Sequence, residues 1–180
     1  MRMLRRLLNF IASRLLLITV VCALFIISFY LAMNTANIWV LISDGLDARA
    51  GVVLMGEDEL ALRNYFKQEF LNQDPVLQMG LSDTSPYKDY EIRGYDHRVK
   101  MVSVWSWPWE SVARAEIIES VPAIDGTIRS SKREAALEAG GEARLAPPDW
   151  PTSRYRVTLV RTAGRWKISN LQLMEQIEDK

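Results

Sequence analysis

The stretch RYRVTLVRTAGRWKISNLQL, residues 154–173, decides what kind of fold this chain makes. Tyr155, Val157 and Leu159 alternate with Arg156, Thr158 and Val160. A period of two belongs to a strand, whose successive side chains point to opposite faces. Thr162, Ala163 and Gly164 then make a tight loop, with Gly164 free to take positive φ. Trp166 and Ile168 alternate with Lys167 and Ser169 on the return. The chain therefore closes on a β-hairpin, with Tyr155, Val157, Trp166 and Ile168 expected in a core.

Upstream the same period recurs. YKDYEIRGYDHRVKMVSVWSWPW, residues 87–109, is rich in β-branched and aromatic residues, and Gly94 marks a bulge or bend. Val99, Met101, Ser103, Trp105, Trp107 and Trp109 share one parity. Pro108 donates no ladder hydrogen bond and argues that the strand does not run unbroken through the tryptophans. Trp105 is accordingly expected in the core. Trp109 and, with it, Trp107 are candidates for contact with a partner or ligand. ESVARAEIIESVPAIDG, residues 110–126, alternates as a further strand with Ile117 inward; Pro122 and Asp125-Gly126 read as turn residues. Residues 127–153 are polar and Pro/Gly-rich, and read as an exposed insertion with a short helix at about 132–139.

Ahead of the strands, GEDELALRNYFKQEFLNQDP, residues 56–75, has helical spacing. Leu62, Phe66 and Phe70 recur at four-residue intervals, acids follow Gly56 at the start, and Pro75 is expected to end the helix. These three apolar residues are expected to pack on the sheet.

The N-terminus is of another kind. LLLITVVCALFIISFYLAM, residues 15–33, carries no charge. At ~1.5 Å per residue it reaches roughly the thickness of a bilayer's hydrocarbon core, and a helix there satisfies its own backbone. Arg2, Arg5, Arg6 and Arg14 lie in the preceding tail, residues 1–14, which has no acid. That bias predicts a cytoplasmic N-terminus and an extracytoplasmic C-terminal domain. A cleaved signal is the rival reading. The run exceeds the usual ~7–15 apolar residues of such signals, and AMNTAN, residues 32–37, is a poor cleavage site. Ile38, Trp39, Leu41 and Ile42 could prolong the membrane helix past the interface, but Ser43, Asp44 and Gly45 interrupt that pattern, so residues 34–45 read as a juxtamembrane linker, with a new short helix through Leu46, Ala50, Val53 and Leu54. The domain is expected over residues 46–174, followed by a tail, 175–180.

Composition narrows the function. Setting aside the four N-terminal arginines leaves 18 basic against 22 acidic residues, a net of −4. An acidic domain lacks the basic stripe of a nucleic-acid binder. With one cysteine (Cys22, inside the apolar run) and one histidine (His97), neither an internal disulfide nor a thiolate metal site is expected. The chain has no P-loop, nucleophile elbow or H-E-x-x-H motif. Acid pairs such as Glu116/Glu119 read as solvent-facing, and Asp96-His97 as strand neighbours on opposite faces. Neither a catalytic set nor a cofactor is expected.

The order of anchor, helices, long antiparallel strands and a closing G-R-W-K-I hairpin resembles the nuclear transport factor two-like (cystatin-like) superfamily over roughly residues 46–174. The resemblance implies an α+β cone, helices packed into a curved antiparallel sheet. Membrane-anchored members resemble scaffold components of envelope, secretion and conjugation machines. Others are small enzymes with an Asp or His in the cone pocket, a set that does not map onto this chain. The expected function is thus a single-pass membrane protein displaying a non-catalytic interaction domain. Its expected partners are the lipid bilayer and a membrane or envelope protein, or a second copy of itself. A small apolar ligand in the cone is the alternative.

Overall fold

A computed structural model describes residues 2–107 and 109–177, with side chains from residue 10 onward. Pro108 and residues 178–180, part of the expected tail, lie outside the described residues.

Helix α1 runs unbroken over Arg2–Met55, 54 residues. Its side chains from Phe10 to Met33 are almost all exposed and apolar, and this stretch is long and apolar enough to cross a membrane. From Asn34 on, one face turns inward: Asn34, Ile38, Ile42, Leu46 and Ala50 are buried at a strict four-residue stride. The expected linker at 34–45 is therefore a correction, since these residues are helical and Asn34, Ile38 and Ile42 of the buried stripe lie there. Gly45 explains why the interruption is only apparent. A Cβ there would sit 3.0 Å from the Tyr65 Cβ and 3.3 Å from the Ile168 Cδ1. Glycine lets the helix approach the layer beneath it, and the surrounding packing outweighs its weak propensity. The helix stops at Gly56, where φ is +70°. Gly56 thus ends a helix where the sequence pointed to a beginning.

The expected helix over 56–75 is likewise corrected. It is divided into a 3₁₀ turn at Glu59–Asn64, helix α2 (Gln68–Leu71) and helix α3 (Pro75–Leu81). The cause is long-range. The Lys67 N–H donates to the Ile168 carbonyl at 2.8 Å, and the Ile168 N–H donates to the Tyr65 carbonyl at 2.8 Å. Residues 65–67 thus satisfy the exposed edge of the last strand, which a continuous helix could not do. Pro75 opens α3 rather than closing a helix, with Asp74 as its N-cap; the Asp74 Oδ1 accepts the Val76 N–H at 3.1 Å.

Four antiparallel strands follow in sheet order β1-β2-β3-β4: β1 (Tyr90–Trp105), β2 (Val112–Ile128), β3 (Trp150–Thr162) and β4 (Arg165–Gln176). The β3–β4 turn has two residues, Ala163 and Gly164, both with positive φ, as the right-handed strand twist favours. β2 runs through Pro122 and Asp125-Gly126, both expected as turns. Pro122 falls in a register shift, between the pairs Arg98↔Ser120 and Asp96↔Ala123, where a missing N–H breaks no regular ladder. Between β2 and β3 lies an excursion that includes helix α4 (Arg133–Gly140).

The fold is α+β, helices on one face of a curved antiparallel sheet. Three register shifts in β1 bend it. The core holds Ile38, Ile42 and Leu46 from α1, Leu62, Phe66 and Leu77 from the helical segment, and Ile117, Tyr155, Val157, Leu159, Trp166 and Ile168 from the sheet. Phe70 is partly buried and stacks on Phe66 with ring centroids 5.5 Å apart.

Trp105 is a correction. It is 62% exposed. β1 pairs Met101 with Ile117 but Ser103 with Glu116, so one extra residue is inserted at Val102. A one-residue slip sends every later side chain to the other face. Val104, opposite Ala115, inherits the inward position, and Trp105, opposite Arg114, turns out.

Candidate functional site

Two polar arrangements stand out from the apolar packing. The first is a buried charge network beneath the sheet. Arg49 projects from α1 and forks onto Asp74, with Nε–Oδ2 at 2.5 Å and Nη2–Oδ1 at 2.9 Å. Its Nη1 lies 3.8 Å from the Glu119 Oε2. The Glu119 Oε1 meets the His97 Nε2 at 3.1 Å, and the His97 Nδ1 lies 3.6 Å from the Asp47 Oδ1. Glu119 is 0% exposed and the His97 side chain 4%. The sequence parity that makes Ile117 inward makes Glu119 inward too, which corrects its reading as solvent-facing. His97 joins Glu119 across the strands, while Asp96 turns to Arg98 on the open face, Oδ2 to Nη2 at 2.5 Å.

The network pairs opposite charges but is not fully hydrogen-bonded: the Arg49 Nη1 and the Glu119 Oε2 are buried 3.8 Å apart and make no hydrogen bond. Burial works against the Arg49 charge, yet the hydrogen bond and charge of Asp74, with Glu119 behind them, raise the guanidinium above its ordinary range. Tyr155 is also raised, by burial first and then by Glu119. A forked Arg–carboxylate pair is the geometry that best offsets desolvation. Two clefts of about 400 and 340 Å³ open at the end of the sheet far from the apolar part of α1. Neither is lined by Arg49, His97 or Glu119. The arrangement clamps α1 and α3 to β1 and β2. Among the described residues no group of three or more His, Cys, Asp or Glu could hold a metal ion.

The second arrangement lies where α1 enters the domain. Asn34 is buried, and its side chain serves three elements. Its Nδ2 donates to the Ser106 Oγ at 2.7 Å; its Oδ1 accepts the Trp166 Nε1–H at 2.8 Å and an Arg161 Nη2–H at 3.2 Å. The Arg161 guanidinium covers the Trp166 ring at 4.4 Å. Beside this node stands the β1–β2 connection with its three indoles. Trp105 and Trp107 meet edge to face at 5.6 Å, and Trp107 and Trp109 stack at 5.2 Å. Trp107 is 36% and Trp109 72% exposed. A hollow of about 240 Å³ between Leu31, Thr35, Val104, Trp105 and Trp107 separates this cluster from the last apolar turn of the helix. The two contact candidates, Trp107 and Trp109, thus stand together at this end of the domain, and Trp105 joins them.

Asn34, Arg49 and Asp74 had no part in the expectations from the sequence; His97 and Glu119 were weighed there, but not as partners. Asn34 was legible as the first member of the 34-38-42-46-50 stride. Glu119 was legible as a carboxylate on the parity of Ala113, Ala115, Ile117 and Val121.

No protein-family model matches the chain, and no curated protein matches it. Among solved structures it is similar to the crystal structure of the Kfla4162 protein from Kribbella flavida. The similarity is 16% in sequence, covers 81% of this chain and 94% of the other, and has a TM-score of 0.46.

Proposed function

We propose that this chain is a single-pass membrane protein whose α+β domain works outside the cytoplasm as a non-catalytic scaffold or interaction module. It would serve a cell-envelope or secretion/conjugation-type assembly. The supporting observation is the continuity of α1. One helix is apolar and exposed over Phe10–Met33 and then supplies the domain's central buried stripe. A domain built around its own membrane helix is held in two dimensions beside other membrane proteins, which raises its effective concentration for them. The buried charges are spent on holding elements together, and we assign them no reaction. The anchor, the helices on a curved sheet and the closing hairpin agree with a membrane-anchored member of the nuclear transport factor two-like superfamily. Crosslinking of the full chain in native membranes tests the reading. A discrete adduct with a membrane or envelope protein, or with a second copy, is expected. Recovery of monomer alone overturns it.

A second reading has one observation in its favour. The cleft of about 340 Å³ is walled by Val53, Met79, Tyr87, Trp150, Tyr155 and Leu173, a mainly apolar lining of ligand-sized volume. On that reading the domain carries a small apolar molecule. Native mass spectrometry of the detergent-extracted protein would find a co-purifying ligand, lost in Tyr155→Ala.

A further inference from the structure

Among the described residues, and apart from Trp39 on α1, the exposed indoles gather at one end of the domain, Trp105 closing β1 and Trp107 and Trp109 in the β1–β2 connection, and their height along α1 is fixed. The Ser106 Oγ accepts a hydrogen bond from Asn34, the residue that follows Met33, where the unbroken apolar run 15–33 ends. One residue of helix is ~1.5 Å of height. Trp105 and Trp107 face Leu31 and Thr35 across their shared hollow, so the indoles are level with the end of the apolar stretch. The β3–β4 turn comes down at the same end, because Val112↔Val160 and Trp105↔Arg114 put the last residues of β1 and β3 together. Arg165 is exposed on that turn.

We propose that Trp105, Trp107 and Trp109 seat in the interfacial layer of the bilayer that α1 crosses, so that the domain rests on the lipid surface in one orientation. The proposal depends on the reading that residues 15–33 span the membrane. Three physical arguments carry it. Stacked indoles with Val102 and Val112 beside them form an apolar patch that is costly to leave in water. An indole has a large apolar body and a single N–H donor, which matches a layer that is apolar on one side and rich in ester and phosphate oxygens on the other. The patch also faces the last apolar turn of the helix across that hollow, and the Asn34 node, bonded to Ser106 and Trp166, holds the connection at that level. Glu110, at the tip, limits how deep the loop can go. Its carboxylate accepts the Trp107 backbone N–H at 3.4 Å and stands beside the rings, which suits the headgroup level rather than the hydrocarbon.

The test uses the full chain in neutral phosphatidylcholine vesicles, with a nitroxide label read for collisions with lipid-soluble oxygen and a water-soluble nickel chelate. One label is placed on the native Cys22. In a Cys22→Ser background, others are placed at Trp109→Cys and, at the far end of the domain, Ser130→Cys. The Cys22 label should report hydrocarbon depth, the 109 label a shift toward oxygen characteristic of the interface, and the 130 label free water. A 109 label as nickel-accessible as the 130 label, with Cys22 still in hydrocarbon, overturns the proposal and leaves the membrane reading standing. A 109 label shielded from both reagents overturns it in favour of a protein contact. A water-accessible Cys22 overturns both readings. Trp109 is an exposed loop residue, so its replacement spares the fold; Trp107→Cys repeats the measurement on the neighbouring ring.

Discussion

Arg49 shows how much a single side chain holds here. Its fork onto Asp74 joins the longest helix to the N-cap of α3, with both groups out of water. Arg49→Met fits the same space but leaves a buried carboxylate without its partner, and is expected to cost about 3–5 kcal/mol in denaturant unfolding. Replacing both members together, Arg49→Met with Asp74→Leu, should recover part of that loss, since an apolar pair needs no desolvation. The buried tyrosines set an alkaline limit. Burial, with the charge of Asp149 behind it, pushes the Tyr87 phenol up to about 12; Tyr95 and Tyr155 are raised as well, by burial foremost. An unfolded tyrosine titrates near ~10. The folded state therefore holds its protons more tightly, and the stability this contributes is complete below ~10 and lost as pH climbs through about 12. Unfolding midpoints measured across that window should fall, and Tyr87→Phe should flatten the fall. Neither feature was evident from composition. A lone arginine in an apolar stripe and a lone acid on an inward parity become informative only once their partners, distant in sequence, are known.

Among the elements, α1 and β1 account for most of what the sequence concealed. The closing hairpin was legible because β3 alternates unbroken and its turn is two residues long; both register shifts, at Arg154/Tyr155 and Thr158/Leu159, place their extra residue in β4. β1 was legible as a strand, but the extra residue at Val102 reversed the faces of everything beyond it, and Trp105 went from expected core to open surface. Bulges of this kind carry no residue signature of their own. The helix expected at 56–75 failed for another reason: residues 65–67 pair with Ile168, a hundred residues on, and tertiary pairing overrode a sound local pattern. Gly45 offers a direct check of how α1 is seated. A leucine there would push into Tyr65 and Ile168, and Gly45→Leu is expected to destabilise by about 1–3 kcal/mol despite its better helix propensity, read as a lowered thermal midpoint.

On the scale of the whole molecule, the architecture was largely legible: an apolar N-terminal helix, then helices over a curved antiparallel sheet. The junction was legible only in part: Ile38, Trp39, Leu41 and Ile42 allow the helix to continue, but Ser43, Asp44 and Gly45 pointed to a linker. Twelve residues of linker, if extended, would give a reach of about 40 Å and free rotation. The helix removes that slack, and Asn34 fastens the domain where the apolar stretch ends. A proteolytic enzyme must thread several residues of unfolded, extended chain through its cleft before it can cut. Between Phe10 and Met55 this protein offers none, because the backbone there is wound into one continuous helix. Native membranes treated with a nonspecific protease should therefore lose the polar excursion around Gly140–Gly141 before any fragment is set free. Release of an intact soluble domain, seen on a gel of the supernatant, would mean that the rod opens at the bilayer surface. On the proposed reading, in which α1 crosses the membrane, the protein cannot be shed from its cell by a cut at a stalk, because Arg2–Met55 is a single helix.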